Sequence, residues 1–391
     1  MVEIARAKQL IRESVKRLPE EMVSLQVALG RTLTRDVLAP ISLPPFRQSA
    51  MDGYAIKLHD SSDKGYKRSE IIQAGDALPK DLETGTAARI FTGAPIPDNA
   101  NCVVMQEYVE ANSIGITLTK EVRVNDNIRE IGEQIKAGEL ALKSGTCLNP
   151  SGLGFLQSLG LTEVHVTSVP KVSLIVSGNE LAKPGTELRG GNIYESNSIT
   201  LGSALVDCGY EMPNTTFVKD NLSDTIQAFK SALDKSDVLL VSGGISVGDY
   251  DFAKTAFEEI GVKEVFYKVN QKPGKPLYFG MYHSKPVFGL PGNPASALMC
   301  LYEYVLPAIR LLSGKNDSEP TKMFLPLEEG FIKKGIRPVF VKAFASSKGV
   351  LILAGQASSM LHTFAVANAL AFIPSNVSDL KKGDLVEVHL V

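Results

Sequence analysis

The chain has 391 residues, too many for one ordinary hydrophobic core, so two to four domains are expected. Hydrophobic residues at 44% and charged ones at 21% describe a soluble globular composition. With 41 basic against 43 acidic residues intermixed and a net charge of −2, no basic stripe for nucleic acid and no acidic tail is present, so any anionic ligand must be held by local groups.

Residues 3–18 are expected to form one amphipathic helix, with Ile4, Ile11, Val15 and Leu18 on one face. Its charged pattern lacks the uninterrupted apolar core of a signal peptide, and no later run is expected to approach membrane-spanning length. A second short element covers 23–29, before Pro40, Pro44 and Pro45 break the pattern. From 46 to 136 the texture changes to short β-like runs at 70–74, 87–92, 102–109 and 115–119, which reads as a small β-rich insert. Residues 137–169 return to mixed character, helical over 152–160 and strand-like over 163–167. A unit made of 1–45 and 137–169 and split by the insert is therefore expected.

From Pro170 strands and helices alternate: strand 172–176, helix 196–208, strand 212–218, helix 223–234, strand 238–241, helix 251–260, strands 265–269 and 286–290, helix 294–312. Such alternation predicts a three-layer α/β domain on a mostly parallel sheet over 170–314. Beyond a polar linker at 313–320, a small C-terminal β domain is expected over 315–391. Cys102, Cys147, Cys208 and Cys300 form no CxxC pair, and the histidines show no HExxH or i,i+4 pairing. Disulfide frameworks and cysteine or histidine zinc sites are thus disfavoured, and a cytoplasmic location is expected.

The segment 237–251, DVLLVSGGISVGDYD, carries the most chemistry. An apolar strand ends in Ser242-Gly243-Gly244, with Ser246, Gly248, Asp249 and Asp251 beyond. Glycines let backbone N–H groups approach an anion, and a following helix N-terminus adds partial positive charge. Alone, such a pair is more often just a tight turn. A second strand, turn and helix follows at 286–312, where Pro291-Gly292-Asn293-Pro294 leads into a helix with Ser296 in its first turn. Ahead of it, Lys272 and Lys275 flank Pro273-Gly274 and project two ammonium groups from a short turn. A third turn, Ser177-Gly178-Asn179-Glu180, ends the 172–176 strand, and Asp220 follows the 212–218 strand. In an open parallel sheet these turns lie at the carboxyl ends of strands, where ligands bind. Glu180, Asp220 and Asp251 would then ring one site with the lysines and could share Mg²⁺ through one or two carboxylates. Taken singly, Glu180 and Asp220 read as a surface acid and a helix cap. In the insert, Asp52 before Gly53 and Thr92 before Gly93 read on their own chemistry as loop residues.

At these residues the chain resembles the molybdopterin molybdotransferase (MoeA) family, which is also similar to the C-terminal part of gephyrin and to the N-terminal part of the plant molybdenum-cofactor protein. The matching blocks run in order: SAMDGYA (49–55), RIFTGAPIP (89–97), VVMQE (103–107), NIREIGE (127–133), SGNEL (177–181), IYESNS (193–198), SGGISVGDYD (242–251), KPGKP (272–276) and GLPGNPAS (289–296). The chain departs from the family in three places. Asn179 and Gln134 stand where the family often has acids, and the run before Gly132 is thinned to Arg129-Glu130-Ile131.

The resemblance implies four domains and an elongated homodimer whose cleft pairs 170–314 of one subunit with the insert of the other, so that Asp52 and Thr92 would close it. It implies adenylylated molybdopterin and molybdate as substrates, Mg²⁺ as the divalent cation, and molybdenum cofactor and AMP as products. Backbone amides of 243–248 and 292–293 would hold phosphate. Lys272 and Lys275 would attract molybdate, and Asp251, Asp220 and Glu180 would hold the metal or position water. Molybdopterin adenylyltransferase and molybdoenzymes are the implied partners, with no role for nucleic acid or membrane. Two alternatives are a gephyrin-like scaffold and a molybdopterin adenylyltransferase. The chain opening directly on the linker unit speaks against the first, and the insert with the C-terminal domain against the second.

Overall fold

The structure is a computed structural model that describes residues 1–60, 65–245 and 252–391. The chain forms two compact units, one of residues 1–21, 30–34 and 165–391, the other of 22–29 and 35–164.

The larger unit is built on a six-stranded sheet ordered Asn214–Val218, Val172–Ser177, Val238–Ser242, Lys285–Leu290, Tyr278–Tyr282 and Lys263–Tyr267. The first four strands are mutually parallel and the last two pair antiparallel. Successive strand residues face opposite layers, and the central strand shows both. Val238 and Leu240 pack with Leu201, Leu205 and the apolar face of Ile4–Ser14. Leu239 and Val241 pack instead with Phe229, Leu233 and Phe257 from the helices Leu222–Lys235 and Phe252–Glu259. Helices on both faces and a continuously apolar central strand make the three-layer α/β domain.

Three local expectations are corrected. The first helix ends at Ser14, because Val15 turns extended at ψ 130° and Leu18 N–H pairs with Leu312 O at 2.9 Å. The strand Tyr278–Tyr282 was not foreseen. It lies beside the lysine turn, and its Gly280 has no room for a side chain: a Cβ there would sit 2.7 Å from Val262 Cγ1. The helix Pro294–Leu312, at 19 residues, is long and apolar enough by length and composition to cross a bilayer, contrary to the expectation of no such run. It is a core helix, with 83% of its apolar window buried. A π turn at Leu301–Val305 precedes Pro307, which lacks the N–H that residue 303 would otherwise receive.

The same unit carries a five-stranded antiparallel sheet ordered Lys322–Pro326, Leu385–Leu390, Ala369–Ile373, Val339–Ser346 and Gly349–Ile352. It joins the α/β domain where Lys272 N–H pairs with Pro338 O and Phe340 N–H with Lys272 O. A buried ionic network adds to the join. Fully buried Glu303 accepts from Lys8 and faces His389 Nδ1, both at 2.6 Å, and Lys8 also reaches Glu319 at 3.1 Å.

In the smaller unit a six-stranded sheet is ordered Cys102–Met105, Gly53–Ile56, Thr86–Ile90, Tyr66–Ile72, Gly115–Leu118 and Val109–Ala111. Gly53 must be glycine, since a Cβ would lie 1.9 Å from Val104 O on the neighbouring strand. The runs expected at 70–74 and 102–109 shift accordingly: the first begins at Tyr66, and the second gives way to a 3-10 turn at Gln106–Tyr108.

Candidate functional site

Four parallel strands of the α/β sheet end on one side, and the turns that follow them surround a cleft of about 640 Å³. Ser242-Gly243-Gly244 forms its floor. Gly243 has φ +92°, and a Cβ on it would lie 2.2 Å from Ser177 O, so two strand-end turns are packed backbone to backbone. Gly244 has φ +66°.

Asp220, which follows the Asn214–Val218 strand, is tied to the Ser177–Asn179 turn of the neighbouring strand. Ser177 Oγ donates to Asp220 Oδ1 at 2.7 Å and Asn179 N–H to Oδ2 at 3.1 Å. In return Asp220 N–H donates to Asn179 Oδ1 at 3.2 Å. Asn179, which stands where the family often has an acid, thus supplies the same carbonyl acceptor without a second charge beside Asp220. The helix beyond is capped by Asn221, whose side chain accepts from Asp224 N–H, so Asp220 is not its cap. Glu180 caps no helix either. It precedes a two-residue strand, Leu181–Ala182, which pairs in parallel with Ile193–Tyr194 along the cleft.

Beyond the third turn, Asn293 is the N-cap residue of Pro294–Cys300, and its side-chain amide donates to Ser358 Oγ at 3.0 Å. Ser359, from the C-terminal domain, lines the cleft. That loop is held by Lys342, whose buried ammonium donates to Gly355 O, Ala357 O and Met360 O at 2.7, 3.3 and 2.8 Å. Burial lowers the Lys342 pKa.

Of the residues singled out from the sequence, Ser177, Gly178, Glu180, Asp220, Gly243, Gly244, Pro291, Gly292, Asn293 and Pro294 line this one cleft. Lys272 and Lys275 are solvent-exposed on the adjoining turn and do not line it, although Pro276 does. Ser296 is buried in the helix behind it. Ser246, Gly248, Asp249 and Asp251 lie outside the described residues. Asp52 and Thr92 belong to the other unit. Sequence reasoning missed Glu195, Ser196, Asn197 and Ser359, which also line the cleft. Only the YESNS block hinted at the first three.

Within the smaller unit four separated motifs meet. Thr92 donates both its N–H and its Oγ1 to Asp52 Oδ1 at 2.8 Å, and these bonds hold the Asp52 carboxyl below its ordinary pKa. Arg89 donates to Gly53 O at 3.0 Å and Gln106 Oε1 at 2.6 Å, its guanidinium 4.9 Å from the Phe91 ring centroid. Ala50 N–H pairs with Asn127 O at 2.9 Å. The 49–55, 89–97, 103–107 and 127–133 blocks therefore form one patch.

Comparison with known proteins identifies the family. Family models match along the chain: MoeA N-terminal region (domain I and II) at residues 2–160, a probable molybdopterin binding domain at 173–311, and MoeA C-terminal region (domain IV) at 325–391. A molybdopterin molybdenumtransferase from Haemophilus influenzae is 34% identical over 94% of this chain and 93% of its own. The chain belongs to the MoeA family. Molybdopterin molybdenumtransferase 2 from Mycobacterium tuberculosis is also 34% identical, covering 97% of each chain. A crystal structure of a molybdopterin biosynthesis MoeA protein from Pyrococcus horikoshii covers 100% of each chain with a TM-score of 0.85 at 28% identity. As a MoeA chain it carries the family's multidomain fold, with the cleft lined by the probable molybdopterin binding domain and by Ser359 of the C-terminal region.

Proposed function

We propose that this MoeA chain is the enzyme of molybdenum cofactor biosynthesis that inserts molybdate into adenylylated molybdopterin, giving molybdenum cofactor and AMP. The observation that carries the reading is the cleft itself. Glycine turns at Gly243-Gly244 and Gly292 bring backbone to its wall beside the carboxylates of Glu180 and Asp220, all in the probable molybdopterin binding domain of a chain related along nearly its full length to molybdopterin molybdenumtransferases.

The chain's own residues account for binding and charge. Backbone N–H groups at the strand ends suit a phosphate or pyrophosphate. Lys272 and Lys275, whose ammonium groups have no hydrogen-bond or ion-pair partner among the described residues, are free to draw molybdate toward the cleft and to offset charge as the phosphoanhydride breaks. The donor set also fits Mg²⁺. Glu180 and Asp220 line the same cleft, and among the described residues no group of three acids, histidines or cysteines forms a closed metal cage. Two carboxylates with substrate phosphates completing the shell is the usual economy for that ion. Glu180 and Asp220, with Asp251, would hold it, and it would neutralise phosphate charge.

A homodimer, in which the insert of one subunit closes the cleft of the other with Asp52 and Thr92, is part of the same proposal. So are a cytoplasmic setting and docking of a molybdopterin adenylyltransferase or a molybdoenzyme. The test incubates purified protein with adenylylated molybdopterin, Mg²⁺ and molybdate and follows AMP. Molybdate-dependent AMP release is expected, and intact adenylylated substrate after complete turnover conditions overturns the reading.

A further inference from the structure

We infer that Asn197 reads the heterocycle of the ligand, its side-chain carbonyl oxygen accepting from a ring N–H or exocyclic amine. The inference rests on the proposed function and adds to it a specificity-determining residue. Asn197 opens the helix Asn197–Asp207, lines the cleft and is 8% exposed. Its Nδ2 donates to Ser242 Oγ at 2.7 Å and to Gly292 O at 2.8 Å, tying the second strand-end turn to the third. A backbone carbonyl only accepts, so the amide cannot be turned end for end.

Both amide hydrogens are thereby used, and the carbonyl end is left over. Asn197 Oδ1 is buried and has no hydrogen-bond partner among the described residues. Leaving such an acceptor unpaired is unfavourable, and native structures rarely do so without a purpose. Neighbouring Glu195, equally buried, is by contrast satisfied by Ser198 N–H at 2.7 Å and Ser198 Oγ at 2.5 Å. Ionised phosphate and molybdate oxygens present acceptors and would repel Asn197 Oδ1. The ligand part that answers it is a hydrogen-bond donor. On the pterin and the adenine such donors are ring N–H groups and exocyclic amines, the ribose hydroxyls being the competing donors.

The experiment measures equilibrium binding of AMP, IMP and adenylylated molybdopterin to the full chain, as wild type, Asn197→Ala and Asn197→Ser. Thermal unfolding identifies the folded variants, and the serine variant serves where the alanine one fails to fold. If adenine is the donor, wild type prefers AMP, which has an amine, over IMP, which lacks it, by about tenfold or more, and loss of Asn197 erases the preference. If the pterin is the donor, AMP and IMP bind alike throughout, and only adenylylated molybdopterin weakens, by about tenfold or more, when Asn197 is replaced. Unchanged binding in both Asn197 variants overturns the inference, as does an equal weakening of AMP and IMP, which a ribose hydroxyl donor would give. Failure of wild type to bind adenylylated molybdopterin would instead remove the proposed function beneath it.

Discussion

Asn293 of the α/β domain donates its side-chain amide to Ser358 Oγ of the C-terminal domain at 3.0 Å, so two domains far apart in sequence share one wall of the cleft. The loop bearing Ser358 hangs on Lys342 through three carbonyls. Lys342→Met is expected to leave those carbonyls unsatisfied, at about 1–3 kcal/mol in urea unfolding, and to raise KM more than it lowers kcat. Equal stability and unchanged KM would separate the loop from substrate binding.

Asp220 makes a comparable tie between Ser177 and Asn179. Asp220→Ala should lower AMP release by about 10–100-fold, the range seen when a group that orients a site is removed. Asp220→Asn, which keeps a carbonyl acceptor, should recover part of it. A single-turnover assay checks both.

Gly243 and Gly190 form a matched pair. A Cβ on Gly243 would meet Ser177 O at 2.2 Å at a φ of +92°, whereas one on Gly190 meets nothing within 4 Å. Gly243→Ala is expected to cost on the order of 1–3 kcal/mol or more in chemical denaturation, and Gly190→Ala close to nothing.

The Lys8–Glu303–His389 network sets a pH response. Burial pushes the Glu303 pKa up, but the His389 bond and the Lys8 charge outweigh it, and the net value lies below the ordinary 4.5. For Lys8 burial is outweighed by Glu303 and Glu319, and the net value lies above 10.5. Glu303 therefore stabilises the fold above pH 4.5, an effect lost as pH falls through its lower folded value; Lys8 stabilises below pH 10.5, lost as pH rises through its higher one. Lys8→Met should destabilise by about 3–5 kcal/mol at neutral pH, and adding Glu303→Leu should restore most of it. Unfolding titrations at several pH values test both statements.

Subunit mixing tests the shared cleft. Inactive Asp52→Ala and Lys275→Ala proteins, mixed after partial denaturation, should regain about a quarter of wild-type sites by random pairing if each cleft draws on both subunits. Persistent inactivity in verified heterodimers would place both residues in one subunit's site.

Much of this molecule was legible in the chain. Alternating apolar runs and helical periods outlined the three-layer domain, since a strand buried on both faces must be continuously apolar, as Val238 to Val241 is. The glycine turns were readable because only glycine tolerates such φ values or so close a backbone approach. Tyr278–Tyr282 escaped because its neighbours, not its pattern, make it a strand: pairing on both sides is a long-range property.

The site divides in the same way. Residue type together with position at the ends of strands marked Ser177, Glu180, Asp220 and Asn293 as candidates for anion or metal binding, although Glu180 and Asp220 taken singly read as a surface acid and a helix cap. Which of them meet was settled only by folding. Asp220 became a tie between turns, Asn197 emerged with an unpaired buried carbonyl, and Ser359 arrived from another domain, because hydrogen-bond partners and burial are properties of the packed chain and are written at no single position.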